Sequence, residues 1–564
     1  MTKKFLVTSA LPYANGPLHF GHIAGVYLPA DIYVRHKKLQ GNNAIHISGS
    51  DEHGVAIMLN AQKAKIPYKQ YVDEWHKKHK ELFDRYEIKF DFFGQTSADY
   101  HAEEVLKWFD VLYKKGAIEK EDELQLQCQS CSNYLPDRYV EGECYVCKYP
   151  KARGDECPNC GTWIDPLKLI NPECKFCQSH DIKPVNNYQW YLKLSKYHKE
   201  FTKWFATNTD WRKTVTTFVE SLSKESLHDR AITRDLDWGI PVPLAEAKGK
   251  RLYVWFDAPI GYVSNTKKYL ETIGSKDDYL KDWWNNKDVE ISHFIGKDNI
   301  IFHAIIFPVM AMGTGFIKPP THLPANQYLN LMGKQFSKSQ GWYVDSEEAI
   351  TEFGSDSLRY YLTTLIPESS DSSFTWTNFE ARINNELANN IGNFINRSMA
   401  FFYKNWQEGL EADYFQAFFK TERAKKIEET VKAFNQELDG FNIKRGLEMI
   451  MALGNEANLY FSDAAPWAQY KVDQKAAAET IAFSAVYTAV LGVMFEPYLP
   501  KLSAKIIEYF GEDLKLQKAK IYQGDFKALA KVFSKPIKLP FKPEGLVPKI
   551  DPKRIEELKK AFQE

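Results

Sequence analysis

Outside one stretch of fifty residues, Cys128 to Cys177, this 564-residue chain contains no cysteine. That excludes a disulfide scaffold spread over the fold, and with it the small secreted proteins that such scaffolds hold together. Net charge is also missing: 73 lysines and arginines balance 73 aspartates and glutamates. An anionic partner must therefore be met by local basic patches, because no overall field draws it in. Long apolar runs are absent too. The uncharged stretch Asn299 to Ile317 contains Asn299, His303, Pro308, Gly313 and Gly315, a poor composition for the roughly 20 apolar residues that cross a bilayer. Ile481 to Phe495 is only 15 residues long, and both stretches read as buried core. Pro12, Asn15 and Gly16 interrupt the first apolar run before a signal-peptide core can form. A cytoplasmic protein without a membrane span is expected. What the chain does have is 44% hydrophobic and 14% aromatic residues, and a length that suggests about three to four domains.

All eight cysteines fall in Cys-x-x-Cys pairs: Cys128/Cys131, Cys144/Cys147, Cys157/Cys160 and Cys174/Cys177. A two-residue spacer in a tight turn lets two thiolates face one point at a Zn–S distance of about 2.3 Å, and two such turns complete a tetrahedron. Spacing alone leaves the pairing open. The expected arrangement is nested, with Cys144, Cys147, Cys157 and Cys160 around one Zn²⁺ and Cys128, Cys131, Cys174 and Cys177 around a second at the base of the insert. Four thiolates leave no position for water. Such sites are structural, so one or two Zn²⁺ ions are expected to shape the insert while the chemistry lies elsewhere.

Near the N-terminus a short apolar run, Phe5 to Val7, leads into the breaker-rich loop Leu11 to Pro17. His19-Phe20-Gly21-His22 then opens a periodic segment reaching Lys38, which reads as strand, loop, helix. A helix N-terminus presents free N–H groups and a positive dipole end. Two imidazoles one turn apart there can grip phosphate oxygens, and Gly21 permits close approach. Ala44 to Ile47 reads as a second strand, with Gly49-Ser50-Asp51-Glu52-His53-Gly54 at its carboxyl end, where ligands of open α/β sheets bind. Far downstream, Gly333 to Gly341 (Gly-Lys-Gln-Phe-Ser-Lys-Ser-Gln-Gly) forms a loop able to carry an ammonium onto a phosphate.

Together these segments resemble the two signatures of the class I aminoacyl-tRNA synthetases, His-Ile-Gly-His and Lys-Met-Ser-Lys-Ser, and most nearly the methionyl branch of that family. The resemblance is carried by Ala10 to Gly16 leading into His19-Phe20-Gly21-His22, by Asp235 to Pro241, by Val254 to Tyr262, and by Phe294-Ile295-Gly296-Lys297-Asp298. These landmarks stand in the family's order over nearly the whole chain. The second signature departs from the pattern, with Gln335, Phe336 and Gln340 at its first Lys, its Met and the Arg that often follows, while Lys338 is intact. Lys334 is a candidate substitute for the missing ammonium.

The resemblance implies a doubly wound, Rossmann-type α/β catalytic core with a zinc-knuckle insert, followed by an all-α helical bundle. The implied divisions are 1–116 and 231–325 for the core, 117–230 for the insert, 326–385 for the connecting segment with the Lys338 loop, 386–540 for an anticodon-binding domain and 541–564 for a segment returning to the core. It implies that L-methionine and ATP, with Mg²⁺, give methionyl-adenylate and pyrophosphate, after which methionine passes to the 3′ end of tRNA(Met). His19, His22 and Lys338 would stabilise the developing charge, and Gly21, Gly296 and Asp298 would hold the nucleotide. Asp51 would pair with the methionine ammonium, inside a pocket of Ala10, Leu11, Tyr13, Trp255, Pro259, Tyr262 and His303 suited to a polarizable sulfur. Asn389, Asn393 and Arg397 recur every fourth residue on a predicted helix, a polar stripe able to read unstacked bases, with Trp467 as a stacking platform. From Lys501 onward 15 basic residues face 9 acidic ones, an excess that could touch tRNA phosphates. The leucyl, isoleucyl and valyl relatives carry a large editing insert, whereas the residues between the core halves here are largely knuckle sequence. The expected assembly is a monomer. The rival expectation is a synthetase-like tRNA-binding protein that has lost catalysis, motivated by Gln335 and Gln340.

Overall fold

A computed structural model describes residues 2–136, 139–154, 157–160, 162, 164–337 and 341–562. Its centre is a five-stranded parallel sheet of β1 (Lys4–Ser9), β2 (Asn43–Ser50), β3 (Phe92–Gln95), β4 (Val289–Gly296) and β5 (Ala325–Asn326), in the order β5-β4-β1-β2-β3. Helices cover both faces, so the strands read as apolar runs rather than alternating ones. Leu6 and Val7 on β1 and Ile291 on β4 are wholly buried. The chain winds outward from β1 to β3, then restarts on the other side of β1 with β4. That reversal opens a crevice at the carboxyl ends of β1 and β4, the place where such sheets bind ligands.

The periodic segment after His19 is helical to Leu39, but not uniformly: Phe20–His22 is α, Ile23–Tyr27 is a wider π turn, and α1 (Leu28–Leu39) resumes the regular pitch. The cause is local. Pro29 has no N–H to give the Gly25 carbonyl four residues earlier, and that carbonyl instead accepts from the Asn326 side chain at 2.7 Å.

Between β3 and β4 runs the insert, built on a long antiparallel ribbon pairing Ile118–Cys128 with Ile182–Leu192. The cysteine turns sit at its far end, around a small sheet of Val140–Glu143, Ala152–Arg153 and Ile170–Cys174. The chain then enters the second half of the core, where α2 (Ile260–Thr272) packs behind the site.

Beyond Trp376 the structure is helical, with α3 (Glu422–Asp439), α4 (Ile443–Ala464) and α5 (Gln474–Phe495) as its longest members. Among the described residues α5 is the one helix long and apolar enough to cross a membrane by composition, yet its apolar window is 89% buried. It is the core of the bundle, as the reading of Ile481 to Phe495 expected. The last helix, α6 (Pro552–Phe562), returns to the connecting segment, where Phe562 lies 6.0 Å from Trp342 and 6.2 Å from Trp376.

Candidate active site

His19 stands just ahead of the first helical turn. Its Nδ1 accepts from the Gly21 N–H at 3.1 Å, and its own N–H donates to His22 Nδ1 at 3.1 Å. The two rings lie 3.8 Å apart. With Nδ1 accepting, each neutral ring carries its hydrogen on Nε2, a donor suited to a phosphate oxygen. Gly21 is required here: a Cβ would come within 2.9 Å of the His19 ring.

The downstream loop arrives at the same place. Phe336 stacks flat on His19, with centroids 4.5 Å apart and planes 5° from parallel. Ser337 and Trp342 then exchange backbone hydrogen bonds of 2.8 and 2.9 Å, closing the loop's base. Lys338, with Ser339 and Gln340, lies outside the described residues. Lys334, the candidate substitute ammonium, sits 5.0 Å over the Trp342 ring. On the other side of the crevice, Gly296 ends β4 and Asp298 follows in a short turn. The Tyr328 hydroxyl donates to Asp298 Oδ1, and Lys297 lies 3.7 Å over the Tyr328 ring. Tyr328 was not anticipated, because only its place after β5 brings it there.

The second half of the site is a group of buried polar side chains. Asp51 pairs backbone to backbone with the Tyr13 strand end, its N–H donating to Pro12 O at 2.9 Å and its carbonyl accepting from Ala14 N at 2.8 Å. Its side chain is 5% exposed, and Oδ1 has no hydrogen-bond partner among the described residues. Burial pushes this carboxyl well above the usual carboxylate range, and the nearby Asp257 carboxylate pushes further. Asp257 is itself fully buried, yet its pKa is lowered. Burial alone would raise it, but His53 at 2.8 Å and His101 at 3.4 Å outweigh that effect. His101 in turn bonds Ser264 at 2.9 Å. Sequence reasoning missed this His53–Asp257–His101 group. The only available signal was that His53 stands in the Asp51 segment and Asp257 in the Trp255 to Tyr262 run.

Tyr262 donates to His303 Nε2 at 2.8 Å, and His303 Nδ1 gives its hydrogen to Asn299 O at 3.0 Å. Burial drops the His303 pKa to about 4, so the ring is neutral and acts as an acceptor. Leu11 packs on Gly261, where a Cβ would lie 3.2 Å from Leu11 Cδ2. The Ala10 carbonyl accepts from Tyr27 at 3.0 Å, Pro259 stands just before α2 at its N-cap, and Trp255 stacks on Phe302 at 3.9 Å and 8°. The structure thus brings Leu11, Tyr13, Asp51, Tyr262 and His303 into one neighbourhood, while Trp255 is held against Phe302.

The eight cysteines form two clusters, Cys144/Cys147/Cys157/Cys160 and Cys128/Cys131/Cys174/Cys177, each with all Sγ atoms within 4.8 Å. Their closest contacts, 3.5 and 3.8 Å in one and 3.6 and 3.9 Å in the other, bracket the edge of about 3.8 Å that follows from tetrahedral bonds of about 2.3 Å. None approaches a disulfide. Backbone N–H groups of Val146 and Cys147 point at Cys144 Sγ, which suits a thiolate. Both clusters can hold a metal ion.

In the helical region Asn389 and Asn393 are exposed, and Arg397 lies 5.1 Å from the ring of Trp467, itself 41% exposed. Asn390, which the fourth-residue spacing passes over, adds to this face. Its side chain donates to Asn455 and accepts from Asn458 at 3.0 Å.

Residues 5–399 match the family described as class I tRNA synthetases (M), and residues 418–564 match the anticodon binding domain of methionyl tRNA ligase. The methionine–tRNA ligase of Methanopyrus kandleri is 39% identical over 100% of this chain and 82% of its own length. That of Porphyromonas gingivalis is 39% identical over 91% of this chain and 75% of its own. Mycobacterium tuberculosis methionyl-tRNA synthetase, solved in complex with methionyl-adenylate, shares the fold at a TM-score of 0.78 and 23% identity, covering 97% of this chain and 100% of that one. The chain belongs to the methionyl-tRNA synthetases, within class I of the aminoacyl-tRNA synthetases.

Proposed function

We propose that the chain activates L-methionine with ATP and then charges tRNA(Met). The observation that carries this reading is the buried Asp51 carboxylate oxygen, which has no hydrogen-bond partner among the described residues and lies close enough to the Tyr262–His303 pair to act on the Tyr262 phenol. An ammonium seated there is held by charge. The methionine carboxylate attacks the α-phosphorus of ATP, forming a P–O bond as the bond to pyrophosphate breaks. Catalysis of this displacement is positioning and charge stabilisation. His19 and His22 donate to phosphate oxygens from Nε2, and Lys338 neutralises charge. Gly21 admits the phosphates, while Gly296 and Asp298 take the ribose and adenine, Asp298 being oriented by Tyr328. Mg²⁺ bound with ATP adds positive charge at the phosphates. Ala10, Leu11, Tyr13, Trp255, Pro259, Tyr262 and His303 enclose the thioether side chain.

In the transfer step the terminal adenosine hydroxyl of the tRNA attacks the adenylate carbonyl and AMP leaves. Asn389, Asn393, Arg397 and Trp467 read the anticodon. The cysteine clusters carry structural Zn²⁺, and the chain acts in the cytoplasm as a monomer. Residues 1–116 and 231–325 do the chemistry, 117–230 form the insert, 326–385 carry the loop, 386–540 hold the tRNA, and 541–564 brace the connection.

The direct test is ATP–pyrophosphate exchange with each of the twenty amino acids in the absence of tRNA. Exchange with methionine alone is the expected result. Exchange driven by another amino acid would refute the pocket assignment, and silence with all twenty would refute the activity. In the same assay Lys338→Ala is expected to slow adenylation at least tenfold, about 1.4 kcal/mol of barrier; an unchanged rate removes Lys338 from the machinery. Trp467→Ala should weaken tRNA binding by the roughly 1–3 kcal/mol of one stacked base, with exchange untouched. Filter binding at fixed salt checks this.

A further inference from the structure

The helical domain meets the catalytic core along α1, through a His36–Tyr522 hydrogen bond of 2.9 Å and through the turn between α3 and α4, which also reaches β4. After Asp439 and Gly440 the chain places Phe441 at φ +61°, in the left-handed region. This is the position after a helix where glycine is the usual occupant. Gly440, next door, adopts an ordinary φ of −85° instead. A bulky residue in that conformation is strained and persists only when its surroundings over-determine it.

The surroundings do so here. The Phe441 ring stacks on Tyr33 of α1 at 4.6 Å, and meets Phe294 of β4 at 5.8 Å and His322, just before β5, at 5.2 Å. The Phe441 carbonyl accepts from Arg212 at 3.1 Å. The same guanidinium also donates to Ala325 O at 3.2 Å, Asn326 Oδ1 at 2.7 Å and Glu368 O at 2.9 Å. Two residues back, Asp439 accepts from His36 at 2.8 Å and pairs with Lys37, both on α1.

Each surface that Phe441 touches belongs to an element that carries part of the nucleotide site. α1 continues the helix that begins at His19 and His22. β4 ends at Gly296, two residues beyond Phe294. β5 leads to Tyr328 and the Gly333–Gly341 loop. We propose that Phe441 is a positioning residue for the transfer step, a peg that sets the anticodon-reading helices at a fixed distance and angle from the adenylate, so that a tRNA held at Arg397 and Trp467 delivers its 3′ end to the reacting carbonyl. Adenylate formation needs no such registration, because methionine and ATP are gripped within the core. This inference rests on the methionine-activating and anticodon-reading functions proposed above.

The test compares the unsubstituted full chain with Phe441→Gly, which removes the ring while suiting the backbone, and Phe441→Leu, which keeps an apolar plug. Three rates or affinities are read: methionine-dependent ATP–pyrophosphate exchange, charging of full-length tRNA(Met) at saturation, and binding of an anticodon stem-loop. For Phe441→Gly the expected result is charging slowed at least tenfold, with exchange and stem-loop binding each within twofold of the parent. Phe441→Leu is expected to recover at least half of the charging rate. Charging that is unaffected by Phe441→Gly would overturn the inference. So would a parallel fall in exchange, which would mark the ring as general packing. A parent chain without methionine-dependent exchange would instead refute the functional reading, and this inference would fall with it.

Discussion

Asp51→Asn is expected to raise the KM for methionine in pyrophosphate exchange by about 10²- to 10³-fold, the effect of leaving an ammonium in a buried site without its partner, roughly 3–4 kcal/mol. Binding of ATP should be nearly unchanged. The direction of the accompanying pH effect follows from burial and the Asp257 carboxylate, which hold the Asp51 carboxyl well above its ordinary value in the empty site. Only the carboxylate form pairs with an ammonium. Methionine binding therefore drives off the proton from whatever fraction is protonated, and affinity falls as pH drops below the raised pKa. Calorimetry in buffers of different ionisation enthalpy should detect proton release in the parent and none in Asp51→Asn. A KM that barely moves would place the ammonium elsewhere.

The second large effect concerns the metal sites. Structural zinc in small thiolate sites contributes an apparent ~10–16 kcal/mol to folding at neutral pH. Stripping both ions with a chelator should therefore unfold the region from Cys128 to Cys177, made visible by protease cuts confined to it. The consequence should reach the active site. Tyr139 of the insert bonds Met58, the same apolar cluster contains Leu236, and Trp238 donates to the Glu52 carbonyl at 2.6 Å, one residue from Asp51. Methionine-dependent exchange is expected to fall at least tenfold on chelation and to return on adding zinc. Cys157→Ser should lower the metal content by one ion per chain. A metal-free chain that resists protease and keeps full exchange would show that the clusters are not folding sites.

Much of the site is legible because its chemistry is local. The loop of breakers, the two histidines flanking glycine and the two-residue cysteine spacers each declare a turn, a cap or a knuckle within a few residues. The sheet order could not be read from the strands themselves. The resemblance implied only a doubly wound core, and the structure supplies the order and the registers. What stayed hidden depends on residues far apart in the chain. His53 and Asp257 are 204 positions apart, and the stacking of Phe336 on His19 joins the two signatures across the whole core. Phe336, read as a replaced methionine, gave no hint of that contact. At the end of α3, Gly440 invites a glycine cap, but tertiary packing awards the left-handed position to Phe441. The nested grouping of the cysteines, by contrast, was expected, and the ribbon register that ends at Cys128 and Ile182 is what brings the outer pairs together.

The carbonyl that Pro29 leaves unclaimed has a mechanical consequence. Because Gly25 is tied to Asn326 rather than to its own helix, the turn bearing His19 and His22 and the root of the downstream loop share one anchor. The loop is rooted close by, at Leu329–Leu331, where it pairs with Ser372–Phe374. A proline with no part in the chemistry thereby ties the spacing of the histidine turn to the strand from which the loop departs.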